Sequence, residues 1–284
     1  MDSLSKQVYI ENQYPGVTLG IITTPHGLIQ IDAPPSPEDG RSWRAALMGL
    51  NTGPERTLIN LDAHPDRTIG ARAMECSVIA HEQTAQVFRD RPSTFKAQSD
   101  ETGAIWETIP GLTGIRWVPP EISFTHSMTL QWNGTPILLE SHPGPSAGAI
   151  WVILPDEKIV FVGDAVLENQ PPFLARADLP AWLETLALLQ SETYQDYTII
   201  SGRGGAVAAA VLKKQIDFIK DAHKRLEKLS KKKQKPDMTE SLVQPLSSKF
   251  KAPSARQKQY SQRLRYGLKH YYARHYHPGP GDDE

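Results

Sequence analysis

The stretch Asn60-Leu61-Asp62-Ala63-His64-Pro65-Asp66-Arg67 directly follows the strand-like run Arg56-Thr57-Leu58-Ile59. An apolar, β-leaning segment that ends in polar residues is how an α/β fold presents ligands at the end of a strand. Successive residues of an extended chain point to opposite faces, so Asp62, His64 and Asp66 can share one of them. Two carboxylates and an imidazole gathered there point to a metal or hydrolytic site. Arg67, next in line, adds a positive charge that no ordinary pH removes.

The chain has 284 residues, 39% hydrophobic and 22% charged, enough to bury a sizeable core without disulfides. Cys76 is its only cysteine, which excludes an internal disulfide and any cysteine-rich zinc site. A single thiol, no basic and apolar leader at the start, and no apolar run of membrane-spanning length together predict a soluble, cytoplasmic protein. The net charge of −1 hides an asymmetry. Residues 211–284 carry 18 Lys and Arg against 8 Asp and Glu, whereas residues 1–210 carry the remaining 13 against 24. An acidic body with a basic tail invites an anionic partner or docking of the tail on the body.

Read in order, Gln7–Ile10, Val17–Thr23 and Leu28–Asp32 alternate or run apolar as strands do, with a turn at Thr24-Pro25-His26-Gly27. Ala33-Pro34-Pro35-Ser36-Pro37 is expected to exclude regular structure before a short helix over Ser42–Leu50. Met128–Trp132 and Thr135–Glu140 read as a hairpin about Asn133-Gly134. Ala149–Leu154 and Lys158–Val162 are two further strands, Leu179–Ser191 an amphipathic helix, Tyr197–Ile200 a buried strand and Ala206–Leu229 a long helix. Strands and helices in this order suit two packed sheets with helices outside. The run Lys231-Lys232-Lys233-Gln234-Lys235-Pro236 marks a boundary, dividing the chain into a domain over 1–235 and an extension over 236–284. Residues 236–258 read as loosely structured, and Tyr260, Leu264, Leu268, Tyr271 and Tyr272 form an apolar stripe at helical spacing.

Five segments in chain order give the sequence a family resemblance. The opening stretch is similar to the His-x-His-x-Asp-His signature of the metallo-β-lactamase superfamily, with Asp62 in the first His place and Arg67 in the last. Gly27-Leu28-Ile29-Gln30-Ile31-Asp32 resembles the family's early strand, whose terminal Asp buttresses the site. Pro143-Gly144-Pro145-Ser146-Ala147-Gly148 resembles the loop that carries a ligand His, with Pro145 in its place. Phe161-Val162-Gly163-Asp164 resembles the strand whose Asp bridges two metals, and Ser201-Gly202-Arg203-Gly204-Gly205 the last ligand turn, with Arg203 for His. The resemblance spans roughly residues 7–230 and implies an αββα sandwich of two mixed sheets with outer helices, to which a C-terminal helical extension is added.

The family holds two zinc ions at these positions to make hydroxide at neutral pH. By that correspondence one metal would keep Asp62, His64 and Asp164 but lose its ligand at Pro145, for which His142 is the candidate substitute. The second would keep Asp66 and Asp164 and meet arginine at both histidine positions; arginine has no lone pair to offer. Two guanidinium groups supply the charge of one zinc ion, so pairs of Arg67 with Asp66 and Asp164, and of Arg203 with Asp164, are expected to fill the former metal cavity. Three uses remain open: a structural ion-pair knot, a pocket for a small anionic ligand, and a hydrolase of an ester, thioester or lactam-like bond. The hydrolase would hold one zinc, iron or manganese ion on Asp62, His64 and Asp164, with Asp66 positioning water. The first two need no cofactor. No membrane partner is expected; a protein partner, a second copy docked through the C-terminal helix, and nucleic acid on the basic tail with its interleaved tyrosines are the macromolecular possibilities.

Overall fold

The computed structural model describes residues 1–50, 52–97, 102–132, 135–251 and 253–277. Its first sheet orders seven strands as they occur in the chain: β1 (Asp2–Ser3), β2 (Val8–Glu11), β3 (Leu19–Thr23), β4 (Gly27–Ile31), β5 (Glu55–Ile59), β6 (Ser77–His81) and β7 (Ile122–Phe124). β1 to β4 form an antiparallel meander, and β4 to β7 run parallel. Parallel neighbours need crossovers. They are supplied by α1 (Pro37–Leu47), by the short α2 (Pro65–Thr68) with a 3₁₀ turn over Ile69–Met74, and by α3 (Glu82–Asp90).

The second sheet comprises β8 (Ser127–Trp132), β9 (Thr135–Ser141), β10 (Ile150–Leu154), β11 (Ile159–Gly163), β12 (Thr198–Ser201) and β13 (Gly205–Val207), in spatial order from β13 to β8. Its strands are antiparallel except β11 and β12, which α4 (Leu179–Leu189) connects in parallel. The turn read at Asn133-Gly134 lies outside the described residues, while Trp132 and Thr135 on either side of it are paired.

Side-chain parity makes the layers. In β4, Ile29 and Ile31 face the second sheet while Leu28 faces α1; in β11, Phe161 faces the first sheet while Val160 and Val162 face the outer helices. One core therefore lies between the sheets, and one lies beyond each. This is the αββα sandwich with two mixed sheets.

Two local expectations are corrected. The proline-rich run 33–37 does not exclude structure throughout, because Ser36 caps α1, accepting from the Asp39 amide at 3.1 Å, and Pro37 occupies a first-turn position. There the missing N–H has no helical partner to lose. Residues 236–258 are not loose either: a 3₁₀ turn (Pro236–Thr239) and α6 (Glu240–Ser247) lead into α7 (Ser254–Tyr276). Pro245 disguised α6, yet Leu242, Val243 and Leu246 are buried.

The tail packs into the same outer core as α4 and the long α5 (Ala209–Lys231). Leu264, Leu268, Tyr271 and Tyr272 are all buried in that core, and each such side chain contributes about 1.5–3 kcal/mol to docking. With Tyr260 also buried, these tyrosines offer no free ring for stacking a base. Some tail cations are paired within the chain, Lys269 with Asp237 at 2.7 Å and Arg265 with Glu240 at 2.8 Å. Among the described residues, no helix is long and apolar enough to cross a membrane.

Candidate functional site

The strand ends converge where the sequence motifs meet. Asp32 leaves β4 in a left-handed conformation, φ 60°, and its Oδ1 accepts from the Leu61 amide at 3.0 Å, fastening the loop after β5. In that loop the Asp62 carboxylate accepts from the His64 amide at 2.8 Å, and His64 caps α2, its Nδ1 accepting from the Asp66 amide at 3.3 Å. Gly163 ends β11 at φ +57° and delivers Asp164; the turn between β12 and β13 delivers Arg203. The room for Arg67 is made by glycine. A Cβ at Gly163 would lie 3.1 Å from Arg67 Nη1, and one at Gly202 2.8 Å from its Nη2.

Arg67 is fully buried. It hydrogen-bonds Asp164 and lies 3.4 Å from both Asp32 and Asp62. Arg203 is 3% exposed and its donors are spent on Asp66 at 2.6 Å, Asp164 at 3.0 and 3.1 Å, the Gly16 carbonyl at 2.8 Å and His64 Nδ1 at 3.1 Å. The expected pairs of both arginines with Asp164 are thus present. Among the described residues, the Arg67–Asp66 pair is not. Adjacent helical residues do not face each other, and Asp66 is taken instead by Arg203 and by the amides of Trp106 at 2.7 Å and Ile105 at 3.4 Å. Asp66 is thereby enclosed, pinning the loop before Trp106–Thr108.

Burial alone would raise every carboxyl here, and the guanidinium groups decide which ones stay charged. At Asp164 burial is overridden by Arg203 and Arg67, which hold it far below the usual carboxylate range. At Asp66 burial is likewise overridden, chiefly by Arg203. At Asp32 burial wins over Arg67, and the carboxyl is pushed up to about 7. Burial, reinforced by Arg203, pushes His64 down to about 4, so near pH 7 its ring is neutral and accepts from Arg203.

Opposing pH dependences follow. The folded chain keeps the Asp32 proton up to about pH 7, while the unfolded chain releases it near pH ~4, so its contribution falls as pH rises through that window. His64 opposes it: the unfolded ring takes up a proton below pH ~6.5 and the folded one only near pH 4, so its contribution rises over most of the same window. Asp66 and Asp164, held low, stabilise above pH ~4 and lose that contribution as pH falls further. Asp32→Asn keeps an acceptor for the Leu61 amide and removes the proton. In urea titrations it is expected to make stability rise more steeply with pH between ~4 and ~7 than it does in the native chain; an unaltered slope would assign the effect elsewhere.

The donor set does not fit the metal ions that the sequence motifs bring to mind. Arg67 and Arg203 engage Asp164 from two sides, and Arg203 also engages Asp66 and His64 Nδ1. Among the described residues, no group of three or more His, Cys, Asp or Glu side chains is disposed to hold an ion. Pro145 lies on the wall of the adjoining cleft. His142, the candidate substitute, stacks on Trp151 at 3.7 Å and pairs with Glu140 at 3.2 Å, directed into the outer core of the second sheet.

Over the ion network opens a cleft of about 870 Å³, lined in part by Asp62, His64 and Asp164. Its walls include Phe95, Trp106, Trp117 and Phe173, together with Arg91, Lys96 and Arg176. α7 adds Arg263, Tyr266, His270 and Arg274. The Phe173 ring lies 4.5 Å from that of His64, 4.6 Å from the Arg203 guanidinium and 4.0 Å from that of Arg263. The sequence motifs singled out neither Arg91 nor Arg263. For Arg263 a signal exists: it stands three residues after Tyr260, on the stripe that is otherwise apolar.

The comparisons agree with this architecture. A family model, the metallo-beta-lactamase superfamily, matches residues 67–203, beginning and ending on the two buried arginines. Among curated proteins no sequence matches. The structure is similar to a metallo-beta-lactamase from Pontibacter korlensis, with 19% identity, a TM-score of 0.59, and coverage of 77% of this chain and 97% of that one. It is also similar to the stereoselective inverting sec-alkylsulfatase Pisa1 from Pseudomonas sp., at 14% identity and a TM-score of 0.69. That match covers 99% of this chain, α7 included, and 50% of the sulfatase, so the chain spans about half the length of that protein.

Proposed function

We propose that this chain, which belongs to the metallo-beta-lactamase superfamily, works as a metal-independent, anion-binding protein whose two buried guanidinium groups have taken over the charge role of the fold's metal ions. One observation carries the reading: Asp164 and Asp66, at the positions of metal ligands, are engaged by Arg203 and, for Asp164, also by Arg67. A metal ion entering there would have to displace both arginines into a low-dielectric interior, leaving two unpaired cations beside it. The adjoining cleft supports a binding role, since its size suits a small organic molecule and its rim is basic.

Protein purified without chelators is expected to contain far less than one zinc, iron or manganese ion per chain by plasma mass spectrometry. Calorimetric titration with each metal is expected to show no saturable heat. Near-stoichiometric metal would sink the reading and favour the single-metal hydrolase, with Asp62, His64 and Asp164 as ligands.

A further inference from the structure

We infer that the cleft takes a phosphate monoester carried on an apolar or aromatic body, with Arg263 of α7 gripping the phosphoryl oxygens. The inference deepens the metal-independent, anion-binding reading and rests on it.

Arg263 is 1% exposed, and among the described residues its bonds go to neutral acceptors alone: Nε to the Gly103 carbonyl at 3.0 Å, and Nη1 to Gln170 Oε1 and the Pro171 carbonyl, both at 3.1 Å. Among the described residues, its Nη2 has no hydrogen-bond partner and no carboxylate pairs with it. A buried guanidinium without a counter-charge is costly to keep, and this one lines a cleft. The cost is visible in its acidity: burial and the neighbouring Arg203 pull the group down to about 9.

Arg91 repeats the pattern on the same cleft. Its guanidinium lies 4.8 Å from the Phe88 ring and 4.5 Å from that of Trp117, bonds the Ala63 carbonyl at 3.3 Å, and among the described residues leaves Nη1 without a partner. Among the described residues, five basic side chains on the lining (Arg91, Lys96, Arg176, Arg263 and Arg274) stand against Asp62 and Asp164, which Arg67 already engages. This excess lies between aromatic, low-dielectric walls, which focus its field in the cleft.

The excess favours a dianion. A phosphate monoester carries about −1.5 to −2 near pH 7 and offers acceptor oxygens that match a guanidinium fork. A sulfate monoester or a carboxylate carries a single charge. The aromatic walls, Phe95, Trp106, Trp117 and Phe173, suit an apolar body behind the charged head.

Calorimetry on the full chain with phenyl phosphate, phenyl sulfate and benzoate tests the inference. Phenyl phosphate is expected to bind saturably, more tightly than the other two, and more weakly as salt is raised. Arg263→Gln is expected to weaken it by about ten-fold or more, the loss of a charge-assisted bond, and Arg91→Gln to weaken it as well. Thermal melting establishes that each variant folds; should Arg263→Gln fail to, Arg91→Gln and the order of the three probes decide. No saturable binding of phenyl phosphate, equal binding of all three probes, or binding indifferent to both folded variants overturns the inference. Metal content measured on the same preparation separates the two readings: metal-free protein that ignores phenyl phosphate fails only this one.

Discussion

Arg67→Met is expected to remove about 3–5 kcal/mol of stability near pH 7, the cost of leaving buried charge without its partner. For a protein whose total stability is about 5–15 kcal/mol, that brings the chain close to unfolding. Methionine fills most of the volume, so the loss is electrostatic. Without the guanidinium, Asp32, Asp62 and Asp164 face one another in an interior where Arg203 reaches only the last of them. The pH dependence identifies the cause. In the variant, the loss of Arg67 raises the Asp32 and Asp164 carboxyls relative to the native chain, so ionising them costs the folded state more, and the penalty fades as pH falls toward ~4. Urea titrations of both proteins between pH 5 and 7.5 should therefore show a gap that narrows on acidification. A gap independent of pH would assign the loss to packing. Arg67→Lys should recover only part of the loss, because one ammonium cannot span three carboxylates that a planar guanidinium reaches at once.

The layers of the fold were legible because parity and punctuation agree over most of the chain. Leu28-Ile29-Gln30-Ile31 and Ile159-Val160-Phe161-Val162 sort their side chains to the two faces of a sheet, as strict alternation requires. Boundaries were harder to read where a residue has two meanings. Pro37 breaks a helix from within and starts one from its first turn, and only the side-chain cap from Ser36 distinguishes the cases. Pro245 likewise hid α6, whose apolar residues were too few to outweigh it before α5 and α7 were there to cover them.

The candidate site was legible as a set of positions and only partly as a set of pairs. Asp32, Asp62, His64, Asp66, Arg67, Asp164 and Arg203 do meet, at strand ends that the motifs mark. Which arginine serves which aspartate depends on helix phase, which puts Asp66 and Arg67 on different sides of α2, and on the loop amides that claim Asp66. Most of the cleft was not legible, since its walls come from segments far apart in sequence, among them Arg91 after α3 and Arg263 in α7. The basic tail could be read as a solvated face or as a contact surface for nucleic acid. Arg263 belongs to neither, because it is the charged member of a buried stripe.

The reverse substitution should restore what the arginines displaced. Arg67→His, Arg203→His and Pro145→His together are expected to bind zinc near-stoichiometrically. Each imidazole is shorter than the guanidinium it replaces and leaves space beside Asp164, where both arginines now bond. Asp62, His64 and Asp66 adjoin the arginines that now fill it, and the ion returns positive charge to the neighbouring aspartates. The metal-free variant should be less stable than the native chain for the reason that Arg67→Met is. Zinc should then raise its melting temperature, by an amount equivalent to about 2.7 kcal/mol once the free ion exceeds its dissociation constant a hundred-fold. The effect should weaken below pH ~6.5, as the imidazoles take up protons. Pro145→His alone provides the control: it adds a ligand while both guanidinium groups remain, so it should bind no zinc. A folded triple variant that ignores zinc would mean that the arginines do not occupy the metal positions of the fold. Zinc binding by Pro145→His alone would mean that a metal and the guanidinium groups can share the cavity, and the metal-independent reading would fall with it.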